Sequence, residues 1–314
     1  MTPVRLRRGL TLSLVLSVVS LSAQAPVFRS ATRLVVLHVT VTNKHGDLVT
    51  NLDERAFSIF ENGKRQPIAL FRRDDVPVSI GLLIDNSGSM RSLRANVEAA
   101  ALAFARASNP QDEMFVLNFA DTARLDVPMT SELQVLERGI ARVDSIGGTA
   151  MRDAIETAEG YLGDHAKQDR RVLLVITDGI DNASEVTAEA IRRQAERAET
   201  VIDAVGLFHA QDAHRASQGR RELNDLTEPT GGVAYFPEGV EQIEAVAVDL
   251  AHQIRSQYTI AYTPNSQALD GSYRSIRVTI NGPERYTVRT RAGYRAVPDA
   301  RPKNSASSIV SPSQ

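Results

Sequence analysis

Five side chains, Asp85, Ser87, Ser89, Thr149 and Asp178, offer oxygen donors at the ends of apolar runs or the starts of helical ones. In Gly81-Leu82-Leu83-Ile84-Asp85-Asn86-Ser87-Gly88-Ser89-Met90, a pattern that reads as a buried strand delivers a carboxylate into a short loop with hydroxyls at alternate positions. Thr149 stands in Gly147-Gly148-Thr149-Ala150 before a helical pattern, and Asp178 follows another apolar run in Thr177-Asp178-Gly179. An oxygen-only set suits a hard cation: Mg²⁺ takes near-octahedral oxygen ligands at about 2.1 Å, whereas zinc and copper favour His and Cys. The chain has no cysteine, and its six histidines, His38, His45, His165, His209, His214 and His252, place no pair on one helical face. His209 and His214 fall five apart in a stretch that reads as a polar loop.

Each of the five also has an ordinary structural use. Asp85 and Asp178 are good helix caps, Thr149 is a good N-cap, and Ser87 and Ser89 suit turns. What sets them apart is their joint placement. Val78 to Ile84, Met114 to Phe119, Val172 to Ile176 and Val201 to Phe208 are near-continuous apolar runs, with Ala123 to Val127 a further edge strand. Helical stripes separate or follow them: Leu93, Val97, Ala100, Ala101, Phe104; Met151, Ile155, Ala158, Leu162; about Thr187 to Glu199; and Val240, Ile243, Val246, Ala247, Leu250, Ile254. Such alternation describes a parallel sheet covered on both faces. Ligands of such open sheets sit at the carboxyl ends of the strands, where strand order reverses, and all five residues fall there. Asp181, three residues beyond Asp178, reads as a solvated loop residue.

The flanks have a period of two. Val35, Leu37, Val39 and Val41 alternate with more polar neighbours, followed by Phe57 to Phe60 and Ile68 to Phe71, with Asn62-Gly63 read as the turn of a hairpin between these two. Tyr258 to Tyr262, Ile276 to Ile280 and Tyr286 to Arg291 supply strands at the other end. Each flank alone has too few strands for a stable sheet. The expected architecture is therefore α/β, a doubly wound, mostly parallel, Rossmann-like sheet at 76–255, inserted in a small β-sandwich-like module. Residues 26–75 and 256–296 build that module together. Arg274, Arg277, Arg289, Arg291 and Arg295 read as one solvated sheet face.

The elements D-x-S-x-S at 85 to 89, Thr149 and Asp178, in order and in strand–loop–helix context, resemble the von Willebrand factor type A (VWFA) family and its metal-ion-dependent adhesion site (MIDAS). More narrowly, Val39 to Gly46, Phe57 to Gly63, Tyr258 to Tyr262 and Arg291 to Tyr294 resemble the VWFA-related domain proteins abundant in Acidobacteria. The resemblance implies that Ser87 and Ser89 coordinate Mg²⁺ (or Mn²⁺) directly, with Thr149, Asp85 and Asp178 binding directly or through water. The remaining position would take an acidic side chain from a protein partner. Charge counting agrees, because two carboxylates against a divalent cation leave a near-neutral site that does not repel a third carboxylate.

Met1 to Ala25 reads as a signal peptide: Arg5, Arg7 and Arg8 precede an apolar run from Leu10 to Leu21, then small residues. That run is short of the roughly 20 residues of a membrane-spanning helix. Cleavage after Ala23 or Ala25 both fit. An exported bacterial protein, periplasmic or secreted and without an integral membrane segment after processing, is expected. With no cysteine it has neither disulfides nor a lipidated Cys, and the tail 297–314 reads as disordered. The net charge of −2, with 36 basic and 38 acidic residues interspersed, gives no basic field for nucleic acid. The expected function is a non-catalytic, metal-dependent binding or adhesion module. The alternatives are an envelope scaffold with incidental metal and a metal-dependent hydrolase. A phosphoryl-transfer site of the D-x-D kind would need an acid where Ser87 stands, and a serine hydrolase would need G-x-S-x-G, which is missing.

Overall fold

The computed structural model describes residues 33–140, 146–178, 180–197, 199–208 and 213–298. The expected signal peptide, nearly all of the tail and His209 lie outside these residues.

The chain enters through β1 (Val35–Thr42), β2 (Phe57–Glu61), β3 (Lys64–Gln66) and β4 (Ile68–Arg72). The central region runs β5 (Val78–Asp85), α1 (Arg94–Ala107), β6 (Glu113–Phe119), β7 (Ala123–Thr130), α2 (Leu133–Ile140), α3 (Met151–His165), β8 (Arg170–Thr177), α4 (Ala188–Ala195), β9 (Thr200–Gly206), α5 (Ala213–Thr227), β10 (Ala234–Tyr235) and α6 (Val240–Arg255). It closes with β11 (Tyr258–Tyr262), β12 (Tyr273–Ile280), β13 (Thr287–Arg289) and β14 (Gly293–Arg295).

The central sheet has the order β10-β9-β8-β5-β6-β7, parallel except for the antiparallel edge strand β7. All eight residues of β5 are buried. Its alternate side chains serve different cores: Ile80, Leu82 and Ile84 pack with α1 and α6, whereas Leu83 joins Phe115, Leu173 and the α3 residues Ile155 and Ala158 on the opposite face. Wedged between two helical layers, β5 is apolar along most of its length; Ser79, bonded to Glu113 at 2.6 Å, is its other polar side chain, and Asp85, at its carboxyl end, is its acid. Gly81 leaves space for the Phe115 ring and Leu173; a Cβ there would come within 2.5 Å of Phe115. Successive strands are added on one side of β5 and then on the other. The switch point of the doubly wound sheet thus falls between β5 and β8, above whose carboxyl ends Asp85 and Asp178 stand.

Both chain ends contribute to two further four-stranded sheets, ordered β13-β1-β11-β4 and β14-β12-β2-β3. Leu37, Val39, Ile59, Tyr258, Ile260 and Val278 share one core between them. The hairpin differs from expectation. Asn62 (φ 47°) and Gly63 (φ 76°) do form the turn, but it joins β2 to β3. Pro67, which has no N–H to donate, follows β3, and β4 then pairs with β11 in the other sheet. The arginines do not share a solvated face either. Arg274 is 4% exposed, bonded to the Ser266 and Ala268 carbonyls and 3.7 Å from Glu61; Arg295 pairs with Glu196 at 2.7 Å; and Arg289 bonds Gln253 on α6. Among the described residues no helix is long and apolar enough to cross a membrane.

Asp203, in the middle of β9, is 3% exposed; its Oδ1 accepts the Val233 N–H at 2.8 Å and its Oδ2 has no hydrogen-bond partner among the described residues. Burial pushes its carboxyl up to about 6, against the pull of that N–H and of Arg289 and Arg170. A carboxyl raised in the folded state stabilises below its unfolded value near 4 and loses that contribution as pH climbs through about 6. Asp203→Asn keeps the acceptor for Val233 and removes the ionisation. Urea unfolding of the two proteins should therefore show wild type losing about 2 kcal/mol relative to Asp203→Asn between pH 4 and 7. Parallel curves would contradict the assignment.

Candidate metal centre

Asp85 ends β5 and is 1% exposed. Its Oδ1 accepts the Ser87 N–H at 2.8 Å and its Oδ2 the Thr177 hydroxyl at 2.6 Å, leaving lone pairs on both oxygens. Burial pushes its carboxyl up to about 6; the Thr177 and Ser87 hydrogen bonds oppose this, and the nearby charge of Asp178 adds to it. The hydroxyls of Ser87 and Ser89 lie 3.0 Å apart, Ser87 just before and Ser89 within the 3₁₀ turn that runs from Gly88 to Leu93. Asn86, between Asp85 and Ser87, faces the other way. It bonds Asn118 of β6 at 2.9 Å, accepts from Arg94 of α1 at 3.1 Å, and its backbone N–H meets the Phe119 carbonyl at 2.7 Å. Those anchors fix the direction in which the two serines point.

Thr149, 1% exposed, precedes α3. Its loop is held on three sides. The Gly147 carbonyl accepts the Gly88 N–H at 3.1 Å, the Gly148 N–H reaches Asp121 Oδ1 at 2.7 Å, and the Thr149 N–H reaches Asn182 Oδ1 at 2.8 Å. Gly147 has φ +100° and a Cβ there would lie 2.3 Å from Asp121 Oδ2, so both backbone conformation and space call for glycine.

Asp178 follows β8 and is 4% exposed. Its Oδ2 lies 3.5 Å from Arg215 Nη2, and its buried Oδ1 has no hydrogen-bond partner among the described residues. A buried carboxylate oxygen left unmatched is unfavourable, and a cation or water is its usual complement. The five residues are thus brought to one rim: Asp85, Ser87 and Ser89 on one loop, Thr149 on a second bonded to it, and Asp178 on a third bonded to the second. The donors are hydroxyl and carboxylate oxygens, which fits a hard cation. Among the described residues no three His, Cys, Asp or Glu side chains cluster as a metal site of their own. His214 lies on α5, where a polar loop was expected.

Asp181 departs most from its expected role. Its side chain is fully buried and takes four hydrogen bonds: Oδ2 from the Arg152 N–H (2.8 Å) and Ser184 Oγ (2.6 Å), Oδ1 from Arg152 Nη2 (3.1 Å) and the Ser184 N–H (3.1 Å). It caps the start of α3, the helix that Thr149 precedes, from the loop that carries Asp178. Together with Asn182 it locks those two loops to each other. Thr177, Asn86, Asn182, Asp121 and Arg215 were also missed; the polar residues flanking Asp85 and Asp178 in D-N-S and T-D-G were the available signal for the first two.

With this geometry in hand, comparison gives the class. Residues 80–180 match the model of the von Willebrand factor type A domain, and the sheet and its helices have that fold. Solved structures to which the chain is similar include a von Willebrand factor type A protein from Catenulispora acidiphila (14% identity, 86% of this chain and 75% of that one, TM-score 0.48). Others are BatB from Bacteroides thetaiotaomicron (18%, 57% and 100%, 0.44) and the vWF domain of the type V pili tip protein Mfa5 from Porphyromonas gingivalis (11%, 57% and 95%, 0.44). No curated protein matches this chain. The flanking segments behind the narrower Acidobacterial resemblance lie outside the matched residues.

Asp181→Ala should destabilise the protein by about 2–4 kcal/mol, since it leaves Arg152 and the α3 N-terminus without their buried acceptor. Urea unfolding with EDTA present checks this; a change under about 0.5 kcal/mol would show that the two loops hold without it.

Proposed function

We propose that this chain is an extracytoplasmic, non-catalytic binding module that recognises an acidic side chain of a protein partner through Mg²⁺ or Mn²⁺ at a MIDAS-type site. Asp85, Ser87, Ser89, Thr149 and Asp178 would hold the ion, directly or through water, and the ion would supply Lewis-acid attraction for the incoming carboxylate. The observation that carries the reading is the buried Asp178 oxygen, without a hydrogen-bond partner among the described residues, on a carboxylate close enough to Asp85 for their charges to interact. Two like charges in a water-poor rim favour a divalent cation, and the serine hydroxyls complete an oxygen set without adding charge. Export rests on the charged and apolar segments of residues 1–25, and the narrower kinship with Acidobacterial VWFA-related proteins on the flanking strand segments.

A ligand that binds the folded state alone raises stability by RT ln(1 + [L]/Kd), about 1.4 kcal/mol at ten times Kd. Mg²⁺ or Mn²⁺ at that level should raise Tm by roughly 3–5 °C, and Asp85→Ala should abolish the rise. Differential scanning fluorimetry checks it; equal shifts in both proteins would remove the site assignment.

A further inference from the structure

The first turn of α5 places Arg215 at the mouth of the site. Its Nη2 lies 3.5 Å from Asp178 Oδ2, with 41% of the arginine side chain exposed against 6% of the aspartate's. The contact is set by how α5 is packed. Gly219, one turn on, sits so close to the Asp178 loop that a Cβ would fall 3.0 Å from the Asp178 carbonyl and 2.5 Å from the Phe208 ring. Arg220 then lies over the rings of Phe208 and Phe236, at 5.6 and 4.6 Å from their centroids. A helix fixed at these points holds Arg215 within reach of Asp178. Resting on the metal-site reading, we infer that Arg215 is a built-in competitor of the divalent ion, a positioning residue whose guanidinium neutralises Asp178 until the ion displaces it.

The argument is one of charge. Two carboxylates and one guanidinium sum to −1, so a divalent cation arriving before Arg215 has moved off would bring the cluster to +1. Like charges a few ångströms apart at a half-exposed rim repel measurably, and salt weakens the effect. Without the ion the same guanidinium partly offsets the burial of Asp178, so the protein keeps a folded metal-free state at the expense of affinity.

Calorimetric titration of the full chain with MgCl₂ tests this. Arg215→Gln, and as a second neutral variant Arg215→Met, should half-saturate at roughly three- to tenfold lower Mg²⁺ than wild type, whereas Arg215→Lys, which keeps the charge, should stay near wild type. The gap between Arg215→Gln and wild type should narrow as NaCl is raised. Unchanged or weaker Mg²⁺ binding in the neutral variants, or a lysine variant indistinguishable from them, overturns the inference while leaving the metal site standing. A wild-type protein that binds no Mg²⁺ overturns both.

Discussion

Two aspartates are brought together where the sheet reverses its winding, and both are almost fully removed from water. A carboxylate in that position loses hydration that a few hydrogen bonds replace incompletely, and a second acid nearby makes ionisation harder still. Asp85 shows the effect directly: its carboxyl is pushed up to about 6 despite two hydrogen bonds to its oxygens. Asp178 has a buried oxygen without a hydrogen-bond partner among the described residues. A protein that keeps two such acids at one rim carries a local cost, and the rest of the site is organised around the charge that would relieve it.

The scaffold meets that cost with rigidity. β5 is buried along its whole length between two apolar layers, which fixes where Asp85 emerges. Asn86 anchors the serine loop to β6 and α1, and Asp181 and Asn182 clamp the Asp178 loop to the start of α3. The loops are thus tied to one another by hydrogen bonds rather than by apolar contact. Such networks hold direction well, which is what a site built from short hydroxyl side chains needs.

Where the sequence was informative, the reason was periodicity. Apolar runs and helical stripes placed β5, β6, β8, β9, α1, α3 and α6, because residues buried on two faces leave an unbroken signal. α5 was invisible for the converse reason: in Ala213–Thr227 the buried positions are Gly219, Leu223 and Thr227, too few apolar residues to draw a stripe. α2, Leu133–Ile140, was missed as well. The Asn62-Gly63 turn was legible, but its partner strand was not, since Pro67 sends the chain to the other sheet and that choice depends on β11, nearly 200 residues away. The five candidate donors could be named from type and spacing. The residues that hold them could not: Asp181 looks like any polar loop residue until the fold carries it beneath α3. Arg274 likewise seemed a surface arginine until the strand pairing buried it against Glu61.

Anomalous diffraction from crystals grown with Mn²⁺ addresses the central claim most directly, because it locates the ion without reference to stability or binding. A single strong peak among Asp85, Ser87, Ser89, Thr149 and Asp178 is the predicted result. Crystals with no peak at that rim, or with manganese bound elsewhere while the two serine hydroxyls remain bonded to each other, would contradict the account.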